Sequence, residues 1–397
     1  MKTFQCSHCQ SLIFFNDLVC LNCQHALGFE PRRLTLLAVT PVLEQTVESD
    51  TQTDTPTTEV PGLWQVAGGP GVVQTLPAGR FRFCRNHTEY QACNFLVAED
   101  DPEVYCVSCR QTHVIPNLDM PGNLQRWATI EQAKRRLFYT LAKLGLEESA
   151  SGGAGVRTPV YKFLEDIPGA PQVMTGHDDG LITINIAEAD DAERTRRRID
   201  LREPYRTLLG HLRHEVGHYF WDQFFLNDPQ ALEECRDVFG DETLDYSQAL
   251  QQHYQQPRPD WQSDFVSSYA TSHPWEDWAE TWAHYLHLID LLETAANYQI
   301  AFTLQSPEGP MSVQCLDPYD AMAGLTAPHD VTAAPAAGLV ELFNQGMGVS
   351  LVLNSLNRSL GQEDAYPFVL STPVLNKLTF VHEIVQRKRA QIGTVQS

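Results

Sequence analysis

Two histidines four residues apart bracket a glutamate in the segment His214-Glu215-Val216-Gly217-His218. On a helix, positions i and i+4 share a face, so both imidazoles can be aimed at one metal ion. Glu215 follows His214 directly and falls beside that metal without ligating it, where a carboxylate can take a proton from water. Zinc suits such a set, because a hydrolytic zinc takes three protein ligands and keeps one position open. A third ligand is available in His273-Pro274-Trp275-Glu276-Asp277-Trp278-Ala279-Glu280. Pro274 suits the first turn of a helix, which places Glu276 and Glu280 one above the other. One carboxylate can ligate the metal while the other holds the free nitrogen of a ligand histidine. The competing reading is an amphipathic helix with surface histidines and an acid-rich helix start. Leu208, Leu212, Phe220 and Phe224 around the motif, and Trp275, Trp278 and Trp282 around the carboxylates, oppose it. Unpaired polar groups in such apolar surroundings would be costly.

Cysteine supplies a second kind of site. Eight of the ten cysteines precede position 110. Cys6, Cys9, Cys20 and Cys23 form two Cys-x-x-Cys pairs, a spacing that directs four thiolates at one structural zinc. Residues 1–30 hold too few apolar side chains to fold without that metal. Cys84, Cys93, Cys106 and Cys109 contain one further pair and suggest a second structural zinc. His87 is read as an exposed loop residue, not as a replacement ligand. Cys235 and Cys315 are read as buried free thiols.

Composition narrows the partners. The 397 residues carry a formal net charge of −22 and are 43 % hydrophobic, enough for a sizeable core but contrary to a nucleic-acid surface. The basic run from Arg194 to Arg198 reads as a solvated helix face. No secretory signal and no apolar run long enough for a membrane span is visible, so a cytoplasmic location is expected.

These sites need elements to hold them. The expected class is α+β: small β-rich zinc ribbons followed by a mainly helical, zincin-like catalytic domain with a small sheet. The divisions are residues 1–30 for the first ribbon, 31–61 for a linker, 62–116 for a second zinc module and 117–397 for the catalytic domain. Thr46 to Pro61 is rich in Thr, Asp, Glu and Pro and reads as flexible, free to let the first ribbon move over the active site. Helical periodicity marks Asn123 to Leu146, and later helices are expected over Leu339–Leu360 and Thr372–Ala390. Leu181 to Ala187 is the best strand candidate, and by analogy with zincins the sheet edge for an extended peptide. His177, Asp178 and Asp179 suit the turn before it, His273 is a minor candidate for contacting substrate, and His211 reads as an ordinary helix residue.

The pairing of His214–His218 with Glu276-x-x-Ala279-Glu280 resembles the gluzincin class of zinc metallopeptidases. That resemblance implies Glu276 as the zinc ligand, Glu280 as the acid buttressing a histidine, and Glu215 as general base. Tyr269, seven residues before Glu276, is similar in placement to the catalytic tyrosine of anthrax lethal-factor-like peptidases, which implies an oxyanion stabiliser. The four-cysteine ribbon together with PQVMTGHDDGLITIN, EPYRTLLGHLRHEVGHYFWD and HPWEDWAETWAHYLH resembles a bacterial family of zinc-binding metallopeptidases along nearly the whole chain. The resemblance implies a peptidase and fixes no substrate; a peptide or isopeptide substrate is expected, with one catalytic zinc, one or two structural zincs, and ribbons that dock a protein partner or inhibit the site. A non-peptide amidohydrolase and a binding module without catalysis are the alternatives.

Overall fold

The computed structural model describes residues 2–45, 57–69, 79–147, 158–201, 207–306, 309–322 and 337–395. Its fold is an N-terminal β region carrying both cysteine clusters, followed by a mainly helical region with a small sheet.

The first ribbon begins with Phe4–Gln5 paired antiparallel to Leu12–Ile13. After each Cys-x-x-Cys the chain turns through a left-handed residue, Gln10 (φ 64°) and Gln24 (φ 61°). Their amides return to the carbonyls of Cys6 and Cys20 at 2.9 and 2.8 Å, so the two knuckles are built alike. Five antiparallel strands follow in chain order: Ala26–Glu30, Thr35–Gln45, Thr57–Val66, Arg80–Phe83 and Leu96–Ala98. A bridge between Phe29 and Phe95 brings the first strand against the last.

The expected linker over 31–61 is therefore corrected. Residues 35–45 and 57–61 lie in strands, and residues 46–56 fall outside the described residues. Alternation explains it: Leu36 and Ala38 enter the ribbon core, while Leu37 and Val39 enter a smaller core on the other face. Thr57–Val66 pairs despite its Thr, Glu and Pro content, because β-branched threonine suits a strand.

A ribbon moving over the active site is corrected as well. Phe15 and Phe29 pack on Tyr139 of the helix Asn123–Lys143. The amide of Lys2 donates to Glu293 (3.2 Å), and Thr3 donates to Asn297 through its amide and hydroxyl, both at 2.6 Å. Glu293 and Asn297 close the same helix that carries Glu276, so the ribbon is anchored to the far end of the ligand helix.

The boundary at 116 is also crossed. Thr112–Val114 leaves the second cysteine cluster and pairs parallel with Val160–Leu164. That strand pairs parallel with Leu181–Asn185, which is antiparallel to Gly176–Asp178. The expected strand Leu181–Ala187 stops at Asn185, whose side chain accepts from the Ala187 amide (3.0 Å) and caps a 3₁₀ turn. It is interior, not an edge. The edge beside it is Gly176–Asp178, with Thr112–Val114 at the opposite edge, so His177 and Asp178 are strand residues, and Asp179 (φ 44°) with Gly180 (φ 81°) makes the two-residue turn.

Helix Leu208–Phe225 carries the His-Glu-x-x-His motif and lies against helix Pro274–Asn297. Their apolar faces, with Asn123–Lys143, Ala337–Ser359 and Thr372–Val395, form the main core. Arg194 and Arg196 lie in helix Asp191–Leu201, paired with Asp191 and Glu193. Cys235 and Cys315 are buried free thiols. Among the described residues no helix is long and apolar enough to cross a membrane.

Candidate metal centre

Capping fixes where both site helices begin. The Thr207 hydroxyl accepts from the Gly210 amide at 2.9 Å and starts the motif helix. His273 Nδ1 accepts from the Trp275 amide at 3.1 Å and starts the ligand helix, with Pro274 in its first turn. His273 is thus occupied as a cap, and its Nε2 faces the Leu244 carbonyl (3.1 Å). Gly217 lets the helices approach: a Cβ there would stand 3.1 Å from both Ala279 Cα and Trp282 Cδ1. Trp278 Nε1 donates to the Gly217 carbonyl (2.9 Å), locking the crossing.

At that crossing three ligand atoms converge. His214 Nε2 and His218 Nε2 are 3.2 Å apart, and Glu276 Oε2 is 3.0 and 3.5 Å from them. Tetrahedral ligands held at the usual zinc distances of ~2.0–2.1 Å stand ~3.3 Å from one another. All three residues are buried. His214 Nδ1 donates to Glu280 Oε1 at 2.7 Å, which leaves Nε2 as the lone-pair nitrogen facing Glu276. Glu276 Oε2 is buried and has no hydrogen-bond donor among the described residues. Acceptors facing one point without a donor require a cation, and two imidazoles with one carboxylate fit zinc.

The electrostatics agree. Burial alone would lower the His214 pKa, but the facing carboxylates of Glu276 and Glu280 raise it well above the histidine range. Burial would raise Glu276, yet His218 and His214 hold it well below the carboxylate range. Glu280, against burial, is held at about 2 by His214. The carboxylate field selects positive charge at the imidazole pair, whether a proton or a metal supplies it.

Glu215 is buried on the motif helix beside this cluster and interacts electrostatically with Tyr246. Tyr269 opens a 3₁₀ turn with its ring 5.9 Å from that of His214. Burial and the charge of Glu276 push its hydroxyl pKa far up, so it stays a donor. Glu280 is fixed from behind by Ser267, whose hydroxyl donates to Oε2 at 2.5 Å. His218 is held by stacking: the Trp275 ring lies 3.8 Å from its own. His177, on the sheet edge, lies 6.2 Å from both the His218 and the Trp275 rings. Burial followed by the His218 charge lowers the His177 pKa to about 4.

Tyr246, Ser267 and His177 were not legible as site residues. Ser267 and Tyr246 stand in no motif and reach the centre only through the fold. The hydroxyl of Tyr246 donates to Glu276 Oε1 at 2.8 Å. His211 lies a turn before the motif with Nδ1 3.5 Å from Glu188, away from the three ligands.

Both cysteine sets converge as expected. Cys6–Cys23 and Cys9–Cys20 sulfurs are 3.7 and 3.6 Å apart, and Cys93 lies 3.7 Å from Cys106 and from Cys109. Tetrahedral thiolates ~2.3 Å from zinc stand ~3.8 Å apart, whereas a disulfide requires ~2.05 Å. Cys84 completes the second cluster. His87 belongs to helix Arg85–Tyr90, half-buried and stacked 4.1 Å from Phe83, which corrects its placement in an exposed loop. Its Nδ1 faces the Cys93 carbonyl at 2.8 Å, so it holds the cluster's backbone and is not a ligand in the set.

Known proteins agree with this layout. A zinc-ribbon domain model matches residues 3–61 and 69–120, spanning both cysteine clusters. Uncharacterised proteins of Mycobacterium tuberculosis H37Rv and Mycobacterium bovis are each 34 % identical over 386 residues, covering 97 % of this chain and 95 % of theirs. No solved structure matches significantly. The family model described as "Putative zinc-binding metallo-peptidase" matches residues 123–384, which contain every residue of the three-ligand centre, and the chain belongs to that family.

Proposed function

We propose that this protein is a zinc-dependent metallopeptidase of the gluzincin type, with zinc held by His214, His218 and Glu276. The observation that carries the reading is the convergence of His214 Nε2, His218 Nε2 and Glu276 Oε2 next to Glu215 on the same helix. A structural zinc has no use for an adjacent general base, and it usually has a full set of protein ligands. When bound, zinc lowers the pKa of water towards ~7 and polarises the scissile carbonyl.

The chain's own groups divide the remaining work. Glu215 accepts the proton of the attacking water and passes it to the leaving amine. Tyr269 keeps its proton and donates to the oxyanion. Glu280, anchored by Ser267, fixes the His214 ring and its tautomer. The substrate backbone adds to the Gly176–Asp178 edge, which lies beside the motif helix. The ribbons, anchored on the ligand helix, hold the catalytic domain and present a surface to a protein partner.

Incubating a peptide library with the zinc-loaded chain and with Glu215→Gln tests this reading. Cleavage by the wild type, lost in Glu215→Gln with the zinc content unchanged, is the expected result. No cleavage of peptides by a fully zinc-loaded wild type, with turnover of simple amides instead, would replace it with an amidohydrolase.

A further inference from the structure

Glu276 has two oxygens and the site uses one. Oε2 faces the two Nε2 atoms, while Oε1 accepts the hydroxyl of Tyr246 at 2.8 Å. A carboxylate left free can turn both oxygens to a metal, taking up the position that a hydrolytic centre keeps open. We infer that Tyr246 is a positioning residue that restricts Glu276 to single-oxygen ligation and so preserves the open position. This rests on the metal site proposed above.

The placement of Tyr246 supports that role over simple packing. It is the first residue of helix Tyr246–Gln255, which buries none of its residues, and it is itself 37 % exposed. Asp245 caps the helix by accepting from the Gln248 amide at 2.9 Å, which fixes where Tyr246 starts. Its ring leans edge-on against His273 (5.3 Å) and Trp275 (6.3 Å), the residues that open the ligand helix. The hydroxyls of Tyr246 and Tyr269 influence one another.

The test is Tyr246→Phe in the full chain, read by metal binding and not by turnover. The two cysteine sites serve as an internal reference, since they should keep their zinc in every variant. Zinc affinity of the third site is measured by chelator competition. Cobalt(II) is then exchanged into that site alone and its visible absorption recorded. The expected result is a ~10–100-fold loss of zinc affinity, the usual scale for partners of metal ligands. Weaker cobalt absorption should accompany it, as coordination rises from four to five. A Tyr246→Phe protein with wild-type affinity and the wild-type cobalt spectrum overturns the inference while leaving the metal site intact. A wild type that binds no third zinc overturns the metal site itself, and this inference with it. Because the ring is retained and the helix is superficial, the variant should fold; the thermal midpoint and the two ribbon zincs confirm it.

Discussion

His214 and Glu280 face each other at 2.7 Å, Nδ1 to Oε1, although they come from different helices and are 66 residues apart in sequence. Ser267 holds the other oxygen of Glu280, so the carboxylate is clamped at both ends. The contact fixes the His214 ring before any metal arrives and decides which nitrogen carries the proton. Glu280→Gln keeps the size but removes the charge and presents an amide that can also donate. Zinc affinity at the third site is expected to fall ~10–100-fold. Chelator competition measures it, and an unchanged affinity would mean that packing alone orients His214.

Glu276 differs from Glu280 in kind, because its Oε2 faces both ring nitrogens and has no hydrogen-bond donor among the described residues. Glu276→Ala should therefore remove the site. Elemental analysis is expected to find about three zincs per wild-type chain and about two in the variant. Equal zinc in both proteins would show that the motif helix does not hold metal through this carboxylate.

Gly217 occupies one of the free positions of the motif, so its identity reflects packing and not ligation. A methyl there meets Ala279 Cα and Trp282 Cδ1 at 3.1 Å, one of them main chain that cannot swing aside. Gly217→Ala should push the two site helices apart at a cost of about 1–3 kcal/mol. Urea unfolding should show a lower midpoint with an unchanged slope. The displacement would also spread His218 from Glu276, so zinc should be held less tightly.

What was legible in the sequence follows from how far each signal reaches along the chain. His214 to His218 and the Cys-x-x-Cys pairs are legible because metal chemistry dictates both residue type and short spacing. Glu276 was legible because a helix start and three tryptophans frame it. Tyr246 and Ser267 were not, since only the fold brings an ordinary tyrosine and serine to Glu276 and Glu280. The edge strand Gly176–Asp178 is three residues long, too short for any period to mark it, so the longer apolar neighbour took its place. Thr57–Val66 was hidden by composition, as threonine and proline suggested a linker where partner strands impose a sheet.

The ribbon's attachment gives a prediction about cooperativity. Cys20 is buried in the core that contains Phe15, Phe29 and Tyr139, and Tyr139 donates to Glu293 at 2.6 Å. Cys20→Ser should lose one zinc per chain and loosen that core. Because Lys2 and Thr3 hold Glu293 and Asn297, the helical region should melt earlier too. Calorimetry should give one transition displaced downward. A separate low-temperature transition, with the helical region unaffected, would show that the ribbon folds independently.

Acid sensitivity should arise partly away from the metal centre. His382 is buried on helix Thr372–Val395, with Nδ1 3.0 Å from the Tyr285 hydroxyl. Burial lowers its pKa to about 4. The unfolded chain binds this proton near pH ~6.5, so between about 4 and ~6.5 the unfolded state holds more protons than the folded one. Stability therefore rises with pH across that window and is lost as pH falls through it, by up to ~1.4 kcal/mol per pH unit for one proton. His284, buried and also lowered to about 4 by burial, adds the same sign. Thermal midpoints measured from pH 7 down to 4.5 should fall. His382→Gln should lessen the slope, because glutamine can face Tyr285 without titrating. An undiminished slope would place the acid sensitivity in other groups.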